Sequence, residues 1–255
     1  MQNFNMQNPA VERSGMMSQI DIRPLMRLVY MWMGLGLLVT AVVSFVVSSN
    51  VELALSLAQG WFVLMIVQLG IVFGLSFLVN RIKPSIALIL FFVYAASMGL
   101  TLGVMFLGIM IDPEASAVAG EIVYSNGGMM TIASAAATTA GLFGVMTVIG
   151  YTTKVDLSRF STFFMMALIG LVIAMVVNIF LNNDTFSLII SVIGVLLFTG
   201  LTAWDTQKIK QMAMLPEMQH HSDSMMRLSI MGALTLYLDF INLFIFLLSI
   251  FSSRD

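Results

Sequence analysis

Apolar positions fall in long unbroken runs along this chain, separated by short polar connections. Seven such runs, at about 28–48, 58–79, 86–111, 130–151, 161–181, 185–205 and 228–251, approach the roughly 20 residues that carry a helix across a bilayer core. A β-barrel is disfavoured, because barrel strands alternate in polarity and are about half as long. The pattern therefore predicts an all-α integral membrane protein with seven transmembrane helices. Residues 1–27, rich in Asn, Gln, Ser and Met, read as a flexible cytoplasmic tail; 28–251 form the membrane domain, and 252–255 a short C-terminal tail. The tail lacks the basic start, short apolar core and cleavage site of a signal peptide.

Composition agrees with that pattern. Of the 255 residues 59% are hydrophobic and only 9% charged, against about 25% charged in a typical soluble domain. Mean hydropathy is +0.99, so the outer faces of the helices need lipid around them. With no Cys there are no disulfides, thiolate metal sites or Cys nucleophiles. Basic residues form no run or aromatic-laced patch, and no nucleic-acid partner is expected. No cofactor is expected either. The 23 Met residues raise the question of soft-metal binding, but their scatter fits flexible apolar filler better.

Loop charges orient the bundle. Arg13, Arg23, Arg27, Arg81, Lys83, Lys154, Arg159, Lys208, Lys210 and Arg227 fall on one side, whereas the other carries Glu52, Asp112, Glu114, Glu121, Asp184 and Asp255 with only Arg254. The positive-inside rule then places the N-terminus in the cytoplasm and, with seven spans, the C-terminus outside. Small residues at four-residue spacing mark candidate helix contacts: Gly70 and Gly74, Gly99 and Gly103, Ala140 and Gly144.

Candidate chemistry rests on two acids in apolar surroundings, Asp205 in Leu201-Thr-Ala-Trp-Asp-Thr-Gln-Lys-Ile209 and Asp239 in Leu234-Thr-Leu-Tyr-Leu-Asp-Phe-Ile-Asn242. A membrane acid costs about 2.5–3.5 kcal/mol on insertion scales, which makes it a functional candidate in want of a partner. Each is expected to be the other's partner. Two carboxylates in low dielectric do not both ionise comfortably, so they would share one proton. Losing it as pH rises would set the sixth and seventh helices against each other, a pH gate without enzyme chemistry. Their depths agree only if the sixth helix continues past Asp205 or the seventh begins later than Leu228. The blander readings are Asp205 solvated at a helix end beside Lys208, and Asp239 bonded structurally to Asn242.

Four further stretches carry a family resemblance: Thr138-Thr-Ala-Gly-Leu-Phe-Gly144, Gly150-Tyr-Thr-Thr-Lys-Val-Asp-Leu-Ser158, Val67-Gln-Leu-Gly-Ile-Val-Phe-Gly-Leu-Ser76 and Tyr94-Ala-Ala-Ser-Met-Gly-Leu-Thr101. With the two Asp segments, they make residues 25–251 resemble the Bax inhibitor-one family, the transmembrane Bax-inhibitor-motif proteins, and a bacterial member in particular. The resemblance implies six helices around a central seventh and a pH-sensitive calcium leak, with calcium and protons as partners and transient calcium near Asp205 and Asp239. It also implies a second reading, a non-enzymatic regulator of a membrane-bound protease or a cell-death factor, and a bacterial inner-membrane location. The family's paired aspartates fall on Asp205 and Asp239. Gln68 departs from it, standing where many members carry Glu and removing a charge from the implied ion path.

Gln68, Arg81, Asn178 and Asn242 complete the candidate set as pore or gate support. Gln68 and Asn178 fit polar glue between helices better than a pore lining, and Arg81 with Lys83 most simply fit interfacial anchors. His220 and His221 fit a solvated loop better than a metal site. An intramembrane aspartyl protease would need Gly-x-Gly-Asp, but Leu236-Tyr-Leu precedes Asp239. A retinal protein would need a Lys in the last helix, and 228–251 has none.

Overall fold

The computed structural model describes residues 22–78, 81–125, 127–215 and 222–253. The histidines, Arg13, Arg254 and Asp255 lie outside them. Nine α-helices appear among the described residues: α1 (Arg23–Ser48), α2 (Val51–Gln59), α3 (Trp61–Leu78), α4 (Pro84–Met110), α5 (Pro113–Ala119), α6 (Gly128–Thr152), α7 (Ser161–Leu181), α8 (Asp184–Ala213) and α9 (Ser222–Ser252). Six of them, α1, α4, α6, α7, α8 and α9, are each long and apolar enough to cross a membrane, so the chain is a multi-pass integral membrane protein.

Local signals set the ends. Pro24 and Pro84 occupy the first turns of α1 and α4, where a missing N–H costs nothing. Asn50, Asp112 and Asn183 cap α2, α5 and α8 by accepting from the amides of Leu53, Ala115 and Phe186. Asn182 closes α7 in the left-handed region with φ 46°, so α7 and α8 form a tight hairpin.

Packing fixes the helix directions. A Cβ on Gly99 would lie 2.7 Å from Val43 Cβ, and one on Gly103 2.5 Å from Val47 Cβ, so α1 and α4 advance together in parallel. The chain must return between them. It does so through α2 and α3, which bend by 75° at Gly60; counted as one span, the pair is the seventh. Among the paired small residues, only Gly99 and Gly103 form a close seam, because Gly70, Gly74 and Gly144 have open space where a Cβ would stand.

Helix α9 is the most buried span and packs on α1, α4, α6 and α8. The two outer helices sit one layer away: α3 packs chiefly on α4, and α7 on α8.

Besides the last helix, which starts at Ser222 rather than 228, two boundaries move relative to the hydropathy pattern. The first helix begins at Arg23, and the sixth apolar run does not stop at 205 but continues as helix to Ala213. The polar stretch after Asp205 stays helical because Thr206, Gln207 and Ile209 are all buried against neighbouring helices.

Candidate functional site

The α8–α9 seam is an antiparallel zipper. From one end to the other, Ser191 Oγ donates to Ser249 Oγ at 2.9 Å, Gly194 lies under the Phe246 ring, and Gly232 meets Ile209. That register brings Asp205 within about one turn of Asp239, close enough for the two carboxyl groups to meet. Their depths agree because α8 runs on past Asp205; α9 starts earlier than Leu228, not later, and its first turns extend beyond the end of α8.

The two carboxyl groups lie within hydrogen-bonding reach of each other. Asp205 is 7% exposed and Asp239 4%, so neither is a solvated helix-end residue. Asp239 Oδ2 is buried without a hydrogen-bond partner of its own. Since ionised carboxylates only accept, a bond between them requires a proton on one. Lys208, one turn on, acts on Asp205 as an opposing charge, and its ammonium sits 5.0 Å from the centroid of the Trp204 ring.

Polar and aromatic contacts brace the layer beside Asp239. Tyr237, fully buried, bonds through its hydroxyl to Thr40 Oγ1 on α1 at 2.7 Å, and Thr40 donates to Ala95 O on α4 at 2.8 Å. The Tyr237 ring meets Phe91 and Tyr94 edge-on. These contacts hold α9 against α1 and α4 two residues, about half a turn, from the acid.

Gln207 braces α8 itself. Its side chain accepts from Leu157 N at 2.8 Å and donates to Val155 O at 2.8 Å, tying the 153–160 connection to the helix that carries Asp205. Lys210 Nζ adds a bond to Tyr151 O at 2.8 Å. At Gly150, backbone of α6 touches Ala203 O, a contact that any side chain would obstruct. Sequence reasoning passed over Gln207; the only signal was a polar residue on the buried face of a helical continuation.

The remaining candidates lie apart from the pair. Gln68 Nε2 donates to Ser97 O at 2.9 Å and Thr101 Oγ1 at 2.8 Å, which places it in the α3–α4 seam. Arg81 is exposed at the α3–α4 turn. Asn178 Oδ1 is buried in α7 without a partner. Asn242 Nδ2 donates to Leu238 O, one turn back on α9, at 2.8 Å. Of the six residues, only Asp205 and Asp239 come together.

Comparison with known proteins places this arrangement. The model of the family described as "Inhibitor of apoptosis-promoting Bax1" matches residues 22–255. This chain belongs to the Bax inhibitor-one family. Inner membrane protein YbhL of Escherichia coli K12 is 41% identical over 89% of this chain and 90% of its own. An uncharacterised protein of Deinococcus radiodurans is 41% identical over 92% of this chain and 93% of its own, and one of Borreliella burgdorferi is 35% identical over 87% and 88%. This family member thus resembles bacterial relatives along nearly their whole length.

Proposed function

We propose that this chain is a pH-sensitive calcium leak in which a proton shared by Asp205 and Asp239 holds α8 and α9 together. One observation carries the reading: two buried carboxyl groups on facing helices meet, and one oxygen of Asp239 has no other partner. Removing the shared proton leaves two like charges in low dielectric, a repulsion directed across the α8–α9 seam. No covalent step is involved. Calcium and protons are the species moved or sensed, and transient calcium is attracted once the pair carries charge. In the same reading the bent α2–α3 pair completes seven spans around the buried α9. The basic end of the bundle faces the cytoplasm of a bacterial cell, with the C-terminus outside.

Calcium flux into proteoliposomes across a pH series tests this. The wild type should leak faster as pH rises. Asp205→Asn and Asp239→Asn should each flatten that rise, because a neutral amide leaves no charged pair. A pH-dependent rise that persists in both variants overturns the gate. Flux indifferent to pH and to both substitutions favours a regulator of another membrane protein.

A further inference from the structure

Helices α1 and α6 both pack on α9, yet they make no extended contact with each other. The gap between them widens at both ends of the bundle. At the basic end a crevice of about 660 Å³ is lined by Arg23, Arg27, Tyr30, Thr147, Tyr151 and Thr152, with no acidic side chain among its described lining. Toward the acidic end an apolar cavity of about 390 Å³ is walled by Leu37, Ala136, Phe240 and Phe244, among others. Its hydroxyls are already satisfied, since Ser44 donates to Ala41 O and Ser48 to Phe45 O within α1. The cavity therefore behaves as hydrocarbon rather than as a water pocket.

Between the two spaces the α6 face is stripped to small residues. Ala140 and Gly144 continue at four-residue spacing the stripe that lines the cavity at Ala136 and the crevice at Val148 and Thr152. Gly144 has open space where a Cβ would stand, as does Gly34 on α1. The crevice and the cavity thus mark the two ends of an α1–α6 groove, charged at one end and apolar at the other.

We propose that this α1–α6 groove seats an anionic phospholipid. Its phosphate meets Arg27 and Arg23 at the basic crevice, and one acyl chain lies over Gly144 and Ala140 toward the apolar cavity. Charge complementarity selects the headgroup, because a basic pocket between membrane helices at an interface attracts anionic lipid. Lengths match as well. Arg27 to Leu37 spans roughly 15 Å of helix at 1.5 Å per residue, about half of a ~30 Å hydrocarbon core. Behind the crevice, Tyr30 Oη lies within reach of the Thr147 and Thr206 hydroxyls, giving its wall a polar lining. Lys210 adds positive charge, its ammonium lying 5.0 Å from the Tyr151 ring centroid. Neither acid of the Asp205–Asp239 pair lines the seat.

Native mass spectrometry of the whole protein in detergent, titrated with phosphatidylglycerol or phosphatidylcholine, tests it. The wild type should retain one phosphatidylglycerol in preference to phosphatidylcholine, and excess glycerol phosphate should not displace it. Arg27→Gln should lower phosphatidylglycerol affinity about fivefold, and adding Arg23→Gln about fivefold more. Gly144→Leu, which fills the groove without touching the charges, should weaken both lipids. Equal retention of the two lipids overturns the proposal. So does phosphatidylglycerol binding unchanged in Arg27→Gln and Gly144→Leu, or displacement by glycerol phosphate, which would make the crevice a soluble-phosphate site.

Discussion

In the proposed gate the energetics between Asp205 and Asp239 turn on a single proton. Without it, two acids would be left charged in an interior where even one is costly. Polar residues outside the spans behave differently. Asp156, exposed in the connection between α6 and α7, is held below the usual carboxylate range by the Ser158 hydroxyl at 2.5 Å and amide at 3.0 Å. Its stabilisation of that turn is present above the ordinary carboxylate range and is lost as pH falls through its own depressed value. Ser158→Ala should therefore move the Asp156 midpoint upward in a carboxyl NMR titration; an unmoved midpoint would deny the hydroxyl its role. The two buried acids were legible from sequence, because charge amid apolar residues is expensive and therefore conspicuous. Gln207 was not, since an amide next to two lysines reads as a solvated loop until the fold shows its face buried.

At the scale of helices, seam quality is set by where backbones can approach. Gly99 and Gly103 let α4 lie directly on α1, whereas Gly70 and Gly74 face open space. Gly103→Leu should destabilise the bundle by about 1–3 kcal/mol through overpacking, and Gly74→Ala should be near neutral. Thermal unfolding in detergent, followed by size-exclusion, checks the pair; equal midpoints would remove the α1–α4 seam from the account. Hydropathy located the helices well and their ends less well. It sees lipid contact, so it found the apolar runs; it cannot see that Thr206, Gln207 and Ile209 pack against protein, so it stopped the sixth helix short. For the same reason three evenly spaced small pairs looked alike, although only one meets a neighbouring helix. The bend at Gly60 was hidden too, because α2 is short and capped by Asn50 just outside the apolar run.

Across the whole molecule, α9 is the element on which the proposed gate and the proposed lipid groove both depend. Its α8 face carries the acid pair, its α1–α4 face is pinned by Tyr237 and Thr40, and its α6 side meets Phe143. Opening the α8 seam therefore requires α8 to move against a braced α9, and a tie between those two helices should abolish the response to pH. The chain has no Cys of its own, so an engineered pair has no native competitor. Ser191 and Ser249 stand 2.9 Å apart, oxygen to oxygen, on the same seam as the acids but away from them. The decisive measurement is calcium flux through Ser191→Cys/Ser249→Cys in proteoliposomes, with the cross-link closed and then reduced. The account predicts that the closed cross-link holds flux at its low-pH level at every pH, and that reduction restores the rise. A leak that still rises with pH while the cross-link is intact would contradict a gate between α8 and α9.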